Sequence, residues 1–274
     1  PEVGYAIEDL PGAETIEKTF REVDGIRRRH DVRLSFHPDQ FVLLNSPRER
    51  VVELSLAELE YQAMVAEWVG ADVINIHAGG VYGDKAAALA RLQKNLRRLS
   101  PRARSRLTLE NDDRSYTPAD LLPICRAERL PLCYDVHHHR CLPDGLTVEA
   151  ATAQALATWD REPLFHISSP LGGWRAEDPR RHADYIQGAD FPACWRTLTI
   201  TVEVEAKAKE PAVLRLARGL KAAGVAIHGP HPVEGPPDRP RARRASRWMT
   251  RSRESPNGST GALEGEMEVN MKKE

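Results

Sequence analysis

The chain has 274 residues, enough for one large α/β domain or two ordinary ones. Its 39 basic and 40 acidic residues leave a formal charge of −1, so no global basic field advertises a nucleic-acid partner, although a metal-rich site would bring its own positive charge. No apolar run approaches membrane-spanning length, no signal-peptide pattern opens the sequence, and four cysteines without a C-x-x-C pair are too sparse for a disulfide framework, which points to a reducing cytosol. The sequence opens on Pro1 rather than Met, and an incomplete amino terminus is the expectation.

Residues 1–10 read as a loop and Pro11-Gly12 as a turn, with helical composition from Ala13 to Arg29. Val32 to Phe36 is a β-rich run ending at His37. Ser46-Pro47 is read as an N-cap with proline at the first helical position. A stripe of Val51, Leu54, Leu56, Leu59, Ala63, Val65 and Val69 follows, closed by Gly70. Val73 to Ile76 is a second strand ending at His77, and a helix from about Asp84 to Leu99 presents Leu89, Leu92 and Leu96 on one face.

The alternation continues. Leu107 to Leu109 ends at Glu110, and Thr117-Pro118 caps a helix through Arg126. Leu132 to Tyr134 ends at Asp135, followed directly by His137, His138 and His139, and Thr147 to Thr158 is an Ala-rich helix. Leu164-Phe165 ends at His166, and an irregular segment carries His182. Leu198 to Val204 ends at Glu205, and Lys209 to Ala223 is the last helix. Residues 229–274, with six prolines and seven arginines between Arg239 and Arg253, read as a disordered, solvated tail set apart from a single domain over 1–228.

Six strand-helix units in sequence imply a parallel sheet with right-handed crossovers. A doubly wound sheet and a (β/α)8 barrel both satisfy this. The barrel is favoured because a candidate ligand follows every strand, as if converging on one axial face, whereas an open sheet would concentrate them at its switch point. Six units rather than eight fit a barrel that lacks its first strands.

His37, His77, Glu110, Asp135, His138, His166, His182 and Glu205 are the candidate ligands. Imidazole and carboxylate without thiolate suit Mn, Zn or Fe(II) better than a closed structural zinc site. Carboxylates such as Glu110 and Glu205 can bridge two ions, the arrangement used in phosphodiester hydrolysis. A single His or Glu at a strand end is more often a hydrogen-bonded or solvated loop residue. Eight at matching topological positions are not explained that way.

At these residues the chain closely resembles the bacterial UV damage endonuclease family. The matching segments are Ser35-Phe36-His37-Pro38-Asp39-Gln40-Phe41-Val42, Ile76-His77-Ala78-Gly79-Gly80-Val81-Tyr82-Gly83-Asp84-Lys85, Leu109-Glu110-Asn111-Asp112, Tyr134-Asp135-Val136-His137-His138-His139, Phe165-His166-Ile167-Ser168-Ser169, His182-Ala183-Asp184-Tyr185 and Val204-Glu205-Ala206-Lys207-Ala208-Lys209-Glu210. They follow the family's order over most of residues 1–215. The resemblance implies a TIM barrel with a manganese-type cluster of divalent metal ions, zinc or another transition metal being the alternative. It implies a cytoplasmic enzyme that nicks damaged double-stranded DNA immediately 5′ to UV photoproducts and some other lesions, with no obligate protein partner.

All eight candidate ligands match family metal positions, with Glu110, Asp135 and Glu205 also carried over as catalytic. Gln40 and Phe41 match a pair that looks like a lesion-probing wedge, Phe41 standing in for the Tyr of some members. Read from the residues alone, the same pair simply packs a loop. Lys85, Lys207 and Lys209 are phosphate-contact candidates. Three departures stand out. A further ligand His of the family pattern falls just upstream of Pro1, Leu164 occupies a position where some members carry Lys, and nothing beyond about residue 225 matches. A sugar isomerase or epimerase on the same kind of barrel, and an inactive metal-binding fragment, are the competing expectations.

Overall fold

The computed structural model describes residues 10–228. The expected amino-terminal loop up to residue 9 and the expected tail at 229–274 lie outside the described residues.

Within them, α1 (Ala13–Arg29) leads into β1 (Ser35–Phe36), α2 (Glu49–Val69), β2 (Val73–His77), α3 (Lys85–Leu96), α4 (Pro101–Arg104) and β3 (Leu107–Glu110). There follow α5 (Pro118–Glu128), β4 (Leu132–Cys133), α6 (Val136–Cys141), α7 (Val148–Leu156), β5 (Leu164–Ile167), β6 (Thr201–Val204) and α8 (Glu210–Ala222). Helices α3 to α7 start where short polar side chains satisfy otherwise unpaired backbone N–H groups. Asp84 accepts from Ala87 N, Ser100 from Ala103 N and Thr147 from Ala150 N, and Thr117 with Asp120 forms a reciprocal capping box. Gly70 ends α2 at φ 74°, and a Cβ there would collide with the Asp24 carboxylate, so both backbone and space require glycine.

Several boundaries differ from the sequence expectation for local reasons. Ser46 Oγ accepts from Arg48 N in a tight turn, which moves the start of α2 to Glu49. The buried face of α2 runs through Val52, Leu59, Ala63 and Ala66, and Leu54 points to solvent. The helix expected through Leu99 stops at Leu96, and Ser100 and Pro101 begin the separate short helix α4 beyond it. The histidine run after Asp135 is α6, a short helix not anticipated from the sequence, with the Asp135 side chain as its cap.

All strand pairs are parallel and the strand order is sequential, β1-β2-β3-β4 in one sheet and β5-β6 in another. The two sheets are joined by a parallel bridge from Asp135 to His166 and by His166 N donating to Tyr134 O at 3.1 Å. Sequential order without a reversal is barrel order, since a doubly wound sheet reverses at its switch point. The outward sides of β2 and β3, Ile74, Ile76, Leu107 and Leu109, are fully buried under the helices, each such side chain contributing roughly 1.5–3 kcal/mol. Their inward sides are polar: Asn75 stands opposite Thr108, and His77 opposite Glu110. Register therefore places chemistry-bearing groups level with one another at the carboxyl edge of the strands.

Candidate metal centre

Each candidate ligand reaches that edge by a distinct local device. His77 and Glu110 are the last residues of β2 and β3, and His37 follows β1 directly. Asp135 Oδ1 caps α6 by accepting from His138 N at 2.7 Å, which turns the His138 side chain back over the strand ends. His166 lies within β5, His182 is drawn in by an antiparallel bridge to Pro170, and Glu205 immediately follows β6.

Glu110 is the hub and is fully buried. Its Oε2 lies 3.1 Å from His37 Nε2 and 3.8 Å from His77 Nε2, and its Oε1 lies 3.2 Å from His166 Nδ1 and 3.4 Å from His138 Nδ1. Glu205 Oε1 is 3.1 Å from His166 Nδ1, and Glu205 Oε2 is 3.8 Å from His182 Nδ1. Three overlapping sets have ligand atoms mutually within 4.8 Å: His37-Glu110-His166-Glu205, His138-His182-Glu205 and Glu110-Asp135-His138. His77 stands just outside these sets, with its ring 5.3 Å from that of His37. The structure thus brings all eight residues together, and Glu110, Glu205 and His138 each belong to two sets.

The donor set fits divalent cations. Asp135 Oδ2 and His77 Nδ1 are buried without a hydrogen-bond partner, and such atoms are costly unless something binds them. The outer contacts are those that orient metal-binding imidazoles: His37 Nδ1 is 3.2 Å from Pro38 O, which turns its Nε2 toward Glu110, and His138 Nδ1 is 3.0 Å from Asn111 O. Nitrogen and oxygen donors without sulfur favour manganese, iron or zinc in an open site.

The electrostatics describe two carboxylates, Glu110 and Glu205, and neighbouring imidazoles holding one another charged. Burial works to raise the Glu110 carboxyl, but the His166 charge and contacts with His138 hold it well below the usual range. Glu205 is half-buried, which works to raise its carboxyl, but His166 brings it down to about 2. Burial opposes charging of His138, yet Asp135 and Glu110 raise it to about 10. His166 is raised well above the ordinary value, burial being outweighed by the Glu110 carboxylate; the neighbouring Cys133 thiol, which burial pushes up to about 12, stays neutral.

The raised imidazoles contribute stability that is complete below their unfolded value of 6.5 and is lost as pH rises toward about 10 for His138. The depressed carboxylates contribute stability that is complete above 4.5 and is lost as pH falls toward about 2 for Glu205. The metal-free chain should therefore melt highest between about pH 4.5 and 6.5. Metal must displace the imidazole protons, so its binding should release protons and strengthen as pH rises from about 6 to about 9, read by calorimetry in buffers of different ionisation enthalpy. Affinity that is flat across that range would refute the coupling.

The remaining predicted residues divide. Gln40 is exposed and Phe41 is 73% exposed, on a turn closed by Phe41 N donating to Asp39 Oδ1 at 3.1 Å and anchored by buried Val42 and Leu44. Phe41 therefore does not pack the loop. Lys207 and Lys209 are exposed and line, with Arg181, a cleft of about 640 Å3 whose floor includes His182 and Glu205. Lys209 holds φ 55° and ψ −129°, uncommon for a residue with a side chain, where α8 begins. Lys85 is already engaged: its Nζ lies 2.6 Å from Asp120 Oδ2, in the capping box of α5.

Sequence reasoning missed three supporting residues. Asn75 Nδ2 donates to Glu110 Oε2 at 2.5 Å while its Oδ1 accepts from Thr108 Oγ1, fixing the hub. Asn111 Nδ2 donates to Asp135 O and Asn111 Oδ1 accepts from Asp135 N, locking β3 to the start of α6. Glu203 lies 2.9 Å from His166 Nε2. Asn75 and Glu203 sit two residues before His77 and Glu205, and strand alternation was the signal available for both.

A family model described as UV-endonuclease UvdE matches residues 1–232. A curated UV DNA damage endonuclease of Bacillus velezensis is 38% identical over 218 residues, spanning 74% of this chain and 66% of that protein, so the chain spans just under two thirds of this relative's length. The crystal structure of SacUVDE superposes with a TM-score of 0.73 at 28% identity, covering 82% of this chain and 76% of that one. Endonuclease IV from Thermus thermophilus shares the fold, with a TM-score of 0.58 at 20% identity over 78% of this chain and 83% of that one. The barrel architecture expected from a candidate ligand at the end of every strand is thereby established.

Proposed function

The chain belongs to the UV-endonuclease UvdE family, and from that premise we propose that it nicks double-stranded DNA immediately 5′ to UV photoproducts, and to some other lesions, by metal-assisted hydrolysis of a phosphodiester. The observation that carries the reading is the convergence of eight imidazole and carboxylate groups at one strand edge, with three of their buried polar atoms left without a hydrogen bond. His37, His77, Glu110, Asp135, His138, His166, His182 and Glu205 would hold the ions, with manganese as the proposed metal. Divalent ions bound there would supply Lewis acidity toward the phosphate and toward the attacking water.

The chain's own residues account for the rest. Glu110, Asp135 and Glu205 concentrate negative charge on a nearly dry floor, which selects a cation and keeps the DNA phosphates off bare carboxylates until it is filled. Asn75 and Asn111 hold Glu110 and the Asp135 backbone rigid, so little reorganisation is required as charge develops at phosphorus. At the cleft rim Lys207, Lys209 and Arg181 are placed to receive backbone phosphate. Lys85 would have to leave Asp120 to join them. Gln40 and Phe41, standing in solvent on an anchored turn, are suited to entering a disturbed base stack. The proposed setting is the cytoplasm, where a genomic duplex is accessible. Among the described residues no helix is long and apolar enough to cross a membrane.

The test is a nicking assay on UV-irradiated and unirradiated supercoiled plasmid, with manganese and with chelator. Relaxation of irradiated plasmid alone, abolished by chelator and restored by manganese, is the expected result. Equal cleavage of both plasmids, or cleavage indifferent to chelator, would overturn the reading.

A further inference from the structure

His166 is fully enclosed in the middle of the centre. Its Nδ1 lies between two carboxylates, 3.2 Å from Glu110 Oε1 and 3.1 Å from Glu205 Oε1. The other ring nitrogen, Nε2, is buried and outside hydrogen-bond geometry, yet Glu203 Oε2 is only 2.9 Å away. Contact without alignment is what a carboxylate one small rotation from a hydrogen bond looks like. The contact is set by register, because β5 pairs with β6 so that His166 stands directly opposite Glu203. Glu203 is itself held by the Ser35 hydroxyl of β1. His166 finds no such partner in its own strand, where the residue two positions earlier is the apolar Leu164.

We propose that Glu203 is a positioning residue of the metal centre, accepting the Nε2–H of His166 and so directing the Nδ1 lone pair toward the space between Glu110 and Glu205. A neutral imidazole carries one donor and one acceptor, and an ionised carboxylate only accepts, so this pairing leaves a single tautomer. The same contact raises the basicity of the ligating nitrogen and fixes the ring plane, and losing such a partner typically costs about 10–100-fold in metal affinity. The inference rests on reading the eight groups as a metal site. It extends that site by a carboxylate that would not itself touch the ion.

The experiment is a manganese titration by calorimetry of the full chain, wild type against Glu203→Ala, Glu203→Gln and Ser35→Ala, with melting of each metal-free protein alongside. Glu203→Ala should lose roughly 10–100-fold in affinity. Glu203→Gln, which keeps an acceptor oxygen in place, should recover most of that loss. Ser35→Ala should lose much less than Glu203→Ala, because it removes the hold on Glu203 Oε1 and leaves the carboxylate itself opposite His166. Unchanged affinity in Glu203→Ala overturns the inference, as does an equal loss in Ser35→Ala, which would reduce Glu203 to a strand latch. A Glu203→Gln variant as weak as Glu203→Ala overturns it too. A wild-type chain that binds no divalent ion removes the metal reading and this inference together, which distinguishes the two failures.

Discussion

Glu110→Gln is expected to strip the centre of metal and to reduce nicking of irradiated plasmid by more than about 100-fold, beyond the upper end seen for outer-contact residues. The change is nearly isosteric, so what it removes is charge and accepting capacity at the one carboxylate that faces His37, His77, His138 and His166 together. An amide nitrogen at either oxygen position would confront a donor. Asn75 Nδ2 stands at Oε2, and relieving that clash requires Asn75 to turn over and break its present bond with the Thr108 hydroxyl. In the metal-free protein His37, His138 and His166 then lose the carboxylate that helps hold them charged, and removing one partner of a buried ion network costs about 3–5 kcal/mol. Elemental analysis, nicking assays and denaturation in chelator read the three consequences separately. Adding Asp135→Asn should complete the loss of metal with helix content unchanged. A double variant that retains the metal content of the wild type would remove Glu110 and Asp135 from the centre.

Much of this arrangement is legible along the chain because parallel strands advertise themselves twice. Apolar runs such as Leu107-Thr108-Leu109 mark the strand, and the residue that ends the run, here Glu110, marks its functional edge. Helix starts at Asp84, Thr117 and Thr147 are equally plain, since a capping side chain is a local event. What escaped was decided by distance in space. Lys85 reads as a free cation until its partner Asp120, 35 residues on, folds against it. Glu203 reads as a solvated strand residue until pairing of β5 with β6 sets it opposite His166. The run His137-His138-His139 has no helical periodicity over so short a span, and only the Asp135 cap, visible but outweighed by the histidines, marks α6. Phe41 shows the converse: an aromatic after a strand suggests packing by composition, and the Asp39 turn directs it outward.

On the proposed reading the outward Phe41 serves damage recognition and not hydrolysis, so Gln40→Ala with Phe41→Ala should divide the two experimentally. An inserted side chain repays the disruption of a duplex only where the stack is already disturbed, as at a photoproduct. Aromatic stacking on a base is worth about 1–3 kcal/mol, so the double variant should lose roughly 5- to 150-fold in preference for a photoproduct duplex. Affinity for undamaged duplex should stay nearly constant, because that binding is carried by phosphate contacts and weakens steeply with salt. Lys207→Ala with Lys209→Ala should behave oppositely, weakening both duplexes alike and flattening the salt dependence. His77→Ala should spare the preference in binding and abolish nicking, since it alters the centre and leaves the turn at Asp39 intact. The measurement is a set of binding titrations at fixed salt on damaged and undamaged duplexes, with nicking followed on the same substrates. If the Gln40, Phe41 double variant kept its full preference for damaged DNA, exposure of the aromatic would have no part in recognition, and discrimination would have to arise at the cleft between Arg181 and Lys209.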